Sequence, residues 1–220
     1  MNTAQKIAKE STISFIGIFY GSINRYLYSA LLARWVGPEY LGIYSMANAI
    51  MLIGEVLSKM GMETGTMRFI SRLDPKKDQK EISRIIASAM KMCFIVSLIV
   101  ATALIASSSF IVYNILSEKT LMINVLIVFA IALPFNAMTL IGASATQGYK
   151  KLKYKAFVTQ LVNPTILLFS MIICFSLFSA ESALMYPILV TGILGFYVML
   201  RPIKSLSSMR ALDILKGKKN

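Results

Sequence analysis

Residues 120–149 read TLMINVLIVFAIALPFNAMTLIGASATQGY, thirty residues without one Asp, Glu, Lys or Arg. A helix needs about 20 such residues to cross ~30 Å of hydrocarbon at ~1.5 Å rise per residue. The pattern recurs on both sides. Residues 92–117 give 26 uncharged positions, 156–180 give 25 and 182–200 give 19. Four membrane spans follow from length alone. Composition agrees, with 56% apolar and only 15% charged residues in 220, and a mean hydropathy of +0.67. Soluble chains are nearer a quarter charged, so this chain has too little polar surface to cover a core in water.

The first 62 residues carry two more apolar stretches, interrupted by charge. Residues 11–33 are broken only by Arg25, and 40–54 run uncharged up to Glu55. Gly37-Pro38 between them is a turn signal, because proline disfavours helix at the residue before it. The N-terminal stretch is too long for a cleaved signal, carries an arginine and lacks a small-x-small cleavage site. The expectation is an all-α integral membrane protein forming one domain over 1–220. Its six transmembrane helices are placed near 11–36, 39–62, 86–113, 120–148, 156–179 and 182–201.

Charge then orients the chain. With the N-terminus inside, the cytoplasmic segments 1–10, 59–91, 150–155 and 201–220 hold twenty of the 23 Lys and Arg. The outer turns hold only Arg34 and Lys119, and Arg25 lies within the first span. This is a positive-inside distribution with both termini cytoplasmic, and it accounts for the net charge of +13 without nucleic acid as a partner. Membrane lipid is the expected surrounding partner. Two stretches, about 64–80 and 203–215, have apolar residues at loose helical spacing among charges, as interfacial helices do. Lipid binding is one reading of these stretches, and simple placement at the headgroups is the other. The lysines at 150, 151, 153 and 155 invite the same two readings.

Several chemistries are excluded. No histidine is present, so imidazole metal ligands and His-based catalytic triads or dyads cannot be built. Cys93 and Cys174 sit in apolar runs at different expected depths, against a disulfide. No GxxxxGK[ST] loop occurs, so the chain has no nucleotide motor of its own. No metal, cofactor or catalytic group is expected, and no enzyme activity with them.

The polar residues within the spans are the candidates for function. Ser14, Gly17, Gly21, Asn24 and Tyr28 recur every three or four positions and share one helical face. Gly17 and Gly21 form a GxxxG that permits close approach of a neighbouring helix. Arg25 falls near mid-membrane, where a charge costs roughly 2.5–3.5 kcal/mol on insertion scales and should face a wet cavity or a partner. Three roles fit it: a substrate contact, with its guanidinium fork on a phosphate and Asn24 beside it, a structural ion pair with Glu55, or snorkelling to an interface. Glu55 and Lys59 are four apart and can also pair with each other. Asn48 shares a face with Glu55, and Asn136 lies in the fourth span with Asn124, Thr139, Ser144 and Gln147. Pro134 and Pro164 should kink the fourth and fifth spans, the latter beside Gln160 and Asn163. Trp35, Tyr40, Tyr113, Tyr149 and Tyr154 fit the aromatic belts.

Three stretches carry a family resemblance. Residues 32–45, LARWVGPEYLGIYS, resemble the first outer turn of polysaccharide (O-antigen type) flippases. Residues 65–72, GTMRFISR, are similar to their first cytoplasmic loop. Residues 133–164, LPFNAMTLIGASATQGYKKLKYKAFVTQLVNP, resemble their fourth and fifth helices with the basic loop between. The family is a branch of the multidrug/oligosaccharidyl-lipid/polysaccharide exporter superfamily, whose members have two six-helix lobes within 12–14 spans. This chain matches the N-terminal lobe only. The resemblance implies flipping of a polyprenyl-pyrophosphate-linked oligosaccharide across the cytoplasmic membrane. Arg25 would meet the pyrophosphate or acidic sugars, with Asn24, Asn48 and Asn136 as further substrate contacts. Arg34, Gly37, Pro38, Glu55, Lys59, Pro134 and Pro164 would shape turn, gate and kinks. It also implies a truncated product, a separately encoded second lobe, or a homodimer. A drug or ion antiporter lobe and a non-transporting subunit of a glycan-assembly complex are the alternatives.

Overall fold

A computed structural model describes residues 3–74, 78–116, 120–149, 152–178 and 180–217. Every element among them is helical: α1 (Thr3–Leu31), α2 (Pro38–Lys59), α3 (Met62–Arg72), α4 (Gln79–Phe110), α5 (Thr120–Gly148), α6 (Leu152–Ala156), α7 (Asn163–Leu177) and α8 (Ala180–Gly217). Wide π turns extend α1 over Leu32–Val36, extend α4 over Ile111–Leu116, and join α6 to α7 over Phe157–Val162. Lys119, Lys150 and Lys151 lie outside the described residues, as do the side chains of the 203–215 segment beyond Ile203.

Among the described residues five helices are long and apolar enough to cross a membrane: Pro38–Lys59, Gln79–Tyr113, Leu121–Gly148, Lys153–Leu177 and Glu181–Ile203. The expected first span, 11–36, is not among them. Asn24, Arg25 and a run of Ser, Gly and Tyr dilute the hydropathy of α1.

The uncharged stretch 120–149 supplies the central helix, α5. In its most apolar window α5 is 61% buried, against 22–39% for the other four candidates. It packs on α2, α3, α4 and α8, while α7 bridges α8 to α1. Small residues let it sit there. Ala137, Ala143, Ala145 and Gly148 are all buried, and a Cβ at Gly148 would lie 2.8 Å from the Ile70 side chain of α3. The main core joins Tyr28, Leu32, Ile43, Ala47, Met51, Phe129, Leu167, Met171 and Leu184 at the end of the bundle nearest the α1–α2 turn. Trp35 stacks on Phe175 there at 5.2 Å.

The connections follow local chemistry. Gly37, at φ +122°, donates its N–H to Leu32 O at 3.1 Å and closes the wide turn, and Pro38 opens α2. At the other end of α2, Met60 takes the left-handed conformation (φ 42°, ψ 40°) ahead of Gly61. Within the expected 64–80 stretch α3 ends at Arg72, as Pro75 disfavours helix at Asp74; residues 75–77 lie outside the described residues, and Gln79 already belongs to α4. Pro202 sits inside α8, which continues as helix to Gly217. Both cysteines are free.

Candidate functional site

The Gly-x-x-x-Gly stripe of α1 determines where the site can form. Gly17, Gly21, Asn24 and Tyr28 are all buried, and an added Cβ at Gly21 would stand 2.6 Å from Gln160 O. Without a side chain there, α1 lies directly on the wide turn between α6 and α7. That turn has a consequence of its own. Asn163 donates its N–H five residues back, to Val158 O. In the same register the next residue, Pro164, should donate to Thr159 O but has no N–H. Arg25 supplies the missing donor: its Nη2 lies 3.3 Å from Thr159 O and 3.2 Å from Gln160 Oε1. The Arg25 guanidinium is thus held by a carbonyl that proline leaves without its ladder bond.

Arg25 so placed borders a cavity of about 500 Å³. α1 and α2 pack together chiefly around the turn that joins them, and the cleft between them is floored by α5, α7 and α8. Its walls carry Arg25, Tyr28 and Ser29 from α1, and Tyr44, Asn48 and Glu55 from α2. Asn136 and Thr139 come from α5, Thr159 and Asn163 from the α6–α7 segment, and Thr191 from α8. At one end the aromatic trio Tyr28, Tyr44 and Phe129 closes it, with centroids 5.0 and 5.8 Å apart. Tyr28 Oη and Asn163 Oδ1 are buried with no hydrogen-bond partner among the described residues. Buried polar atoms are seldom left so, and both belong to residues lining this cavity.

Three of the four residues named as substrate contacts meet here: Arg25, Asn48 and Asn136. Asn24 does not. It is buried on the packed face of α1, and its Nδ2 donates to Tyr20 O at 3.0 Å. The ion pairs expected of Glu55 are not formed within 4 Å, either with Arg25 or with Lys59, and Glu55 is left bordering the cavity. Lys59 turns instead to Glu63, at 3.4 Å. Glu63 also takes Lys155 Nζ at 3.1 Å, and that ammonium donates to Gln147 as well. This clasp ties α2, α3, α5 and α6 at the end opposite the aromatic trio. Arg34 is exposed on the α1–α2 turn with Gly37 and Pro38. Pro134 is buried inside α5, which continues through it, and Pro164 is buried at the cavity wall.

Tyr44, Thr159 and Thr191 were not singled out from sequence, and Tyr28 was named only as part of one face of the first span. Tyrosine and threonine are ordinary residues in such helices, and only the lack of a partner for Tyr28 Oη distinguishes one of them. The basic run 150–155 is also divided by the fold: Lys155 is consumed in the clasp, while Lys153 stays exposed.

A family model described as polysaccharide biosynthesis protein matches residues 7–213, which include every residue lining the cavity. Comparison with curated proteins and with solved structures returned no match.

Proposed function

Since the chain belongs to the polysaccharide biosynthesis protein family, we propose that it carries a lipid-linked oligosaccharide across the cytoplasmic membrane as one lobe of a flippase. Six helices cross the bilayer in this reading: α1, α2, α4, α5, α6 with α7, and α8, both termini being cytoplasmic. The orientation rests on twenty of 23 Lys and Arg falling on one side. The observation that carries the function is the cleft between α1 and α2. It places one guanidinium among amides and hydroxyls from five helical segments, with Glu55 as the carboxylate at its border. Such a site suits a pyrophosphate headgroup with sugars attached, because Arg binds phosphate oxygens through a planar fork. No covalent step is required, so the protein acts as a carrier without cofactor. The cleft is open along the α1–α2 side, and a second lobe, from a partner chain or a second copy, would complete it.

Export of lipid-linked glycan in cells tests the reading. Arg25→Ala should abolish export at normal protein level, whereas Gln160→Ala, which removes one anchor of Arg25 but keeps the charge, should retain it. Equal export from Arg25→Ala and wild type would discard the substrate role. The mass of the detergent-solubilised particle, corrected for bound detergent, should correspond to two lobes.

Glu55 favours a second reading, a cation-coupled antiporter lobe of the same superfamily. A carboxylate bordering a transport cavity without an ion-pair partner is a site for a proton or metal cation. Glu55→Gln should leave glycan export intact if the first reading holds alone, and abolish cation-driven transport if the second does.

A further inference from the structure

A second concavity lies on the opposite side of the α6–α7 segment. Thr159, Asn163 and Pro164 face the cleft, whereas Phe157, Val158 and Leu161 floor a groove of about 730 Å³ between α1 and α8. Both helices pack against the wide turn, which holds them apart. Ile16 and Gly17 form one wall and Val198 the other. Gly17 matters because any side chain there would extend toward Leu161, whose Cδ1 is 3.3 Å from its Cβ position. Ile16 and Phe157 are 61% and 52% exposed, so the groove is open to the surroundings of the bundle.

One end of the groove is charged. Lys153 and Arg201 border it from α6 and α8, and among the described residues neither pairs with a carboxylate. Each lies near an aromatic ring of its own helix: Lys153 Nζ is 5.2 Å from the Tyr154 centroid and Arg201 Cζ 5.3 Å from that of Tyr197. Leu161, eight residues beyond Lys153, is about 12 Å deeper along the segment. The groove therefore has two cations at headgroup level and an apolar trough running inward, within the volume range of small-molecule sites.

We propose that this groove binds an anionic phospholipid of the cytoplasmic leaflet, with its phosphate between Lys153 and Arg201 and an acyl chain over Phe157 and Leu161. Basic pockets between membrane helices on the cytoplasmic side recognise such headgroups. The occupant is a bilayer lipid rather than the cargo, because the groove is separated from the Arg25 cleft by the α6–α7 backbone. The proposal takes only the membrane orientation from the reading above, and its failure would leave translocation untouched.

Native mass spectrometry of the full chain, in detergent doped with equal phosphatidylglycerol and phosphatidylethanolamine, tests it. Wild type should retain phosphatidylglycerol preferentially. Lys153→Gln and Arg201→Gln should each weaken that preference about fivefold, and the double variant about thirtyfold, at roughly one surface-charge contribution each. Lys80→Gln, an exposed cation on α4, should change nothing. Equal retention of the two lipids by wild type, or an unchanged preference in both single variants, would overturn the assignment. So would displacement of phosphatidylglycerol by a polyprenyl phosphate at equal concentration, which would make the groove a cargo entrance.

Discussion

Replacing Gly21 with alanine tests how the Arg25 cleft is held. The new Cβ would lie 2.6 Å from Gln160 O, 3.1 Å from its Oε1 and 3.3 Å from its carbonyl carbon. Ordinary contact begins near 3.4 Å, so α1 and the wide turn must part by about 0.8 Å. Arg25 lies one helical turn further along, with its two acceptors at 3.3 and 3.2 Å. The same displacement takes both beyond hydrogen-bond range. Overpacking costs about 1–3 kcal/mol, and alanine returns about 1 kcal/mol of helix propensity. The net loss should be about 0–2 kcal/mol. Gly54→Ala is the comparison, since its Cβ also meets an atom at 2.6 Å, Leu133 Cδ1. A leucine methyl can swing aside where a backbone carbonyl cannot, so Gly54→Ala should be nearly neutral. Thermal unfolding in detergent, followed by helix content, reads both variants. A midpoint for Gly21→Ala equal to or above that of Gly54→Ala would refute the carbonyl contact as the tie between α1 and the wide turn.

Three further outcomes are expected. Met60→Gly should stabilise the protein by about 1 kcal/mol, because Met60 is 72% exposed and left-handed, a conformation costing an L-residue roughly that much; an unchanged unfolding midpoint would argue against that geometry. Tyr28→Phe removes a buried hydroxyl with no partner and should be neutral or stabilising by up to about 1 kcal/mol. A fall in glycan export without loss of stability would then show that cargo contacts the hydroxyl. A double-mutant cycle on Glu63→Gln and Lys155→Met should give a coupling of about 0.5–1 kcal/mol that weakens with salt, as the pair is only partly buried. Zero coupling would remove the clasp as a stabilising feature.

The sequence was most legible where the bilayer imposes its own rule. Hydrocarbon requires every backbone group to be bonded within the segment, so a long uncharged interval has little choice but helix. Each of the four uncharged intervals is helical over nearly all of its described residues, and Gly37-Pro38 marks the turn between α1 and α2. The spacing of Gly17, Gly21, Asn24 and Tyr28 was likewise enough to identify a packed face, because a helix repeats its faces every three or four residues. Sequence could not say what that face meets. The rotation of each helix about its axis is decided by packing, and that rotation brings Asn48 and Asn136 to Arg25 while burying Asn24, its immediate neighbour. It also sends Lys59 to Glu63 and leaves Glu55 bordering the cleft, although spacing along α2 favoured a Glu55–Lys59 pair. The hold on Arg25 was the least visible of all. It depends on a carbonyl that Pro164 leaves free at a wide turn 134 residues away, and only tertiary structure brings that carbonyl to the guanidinium.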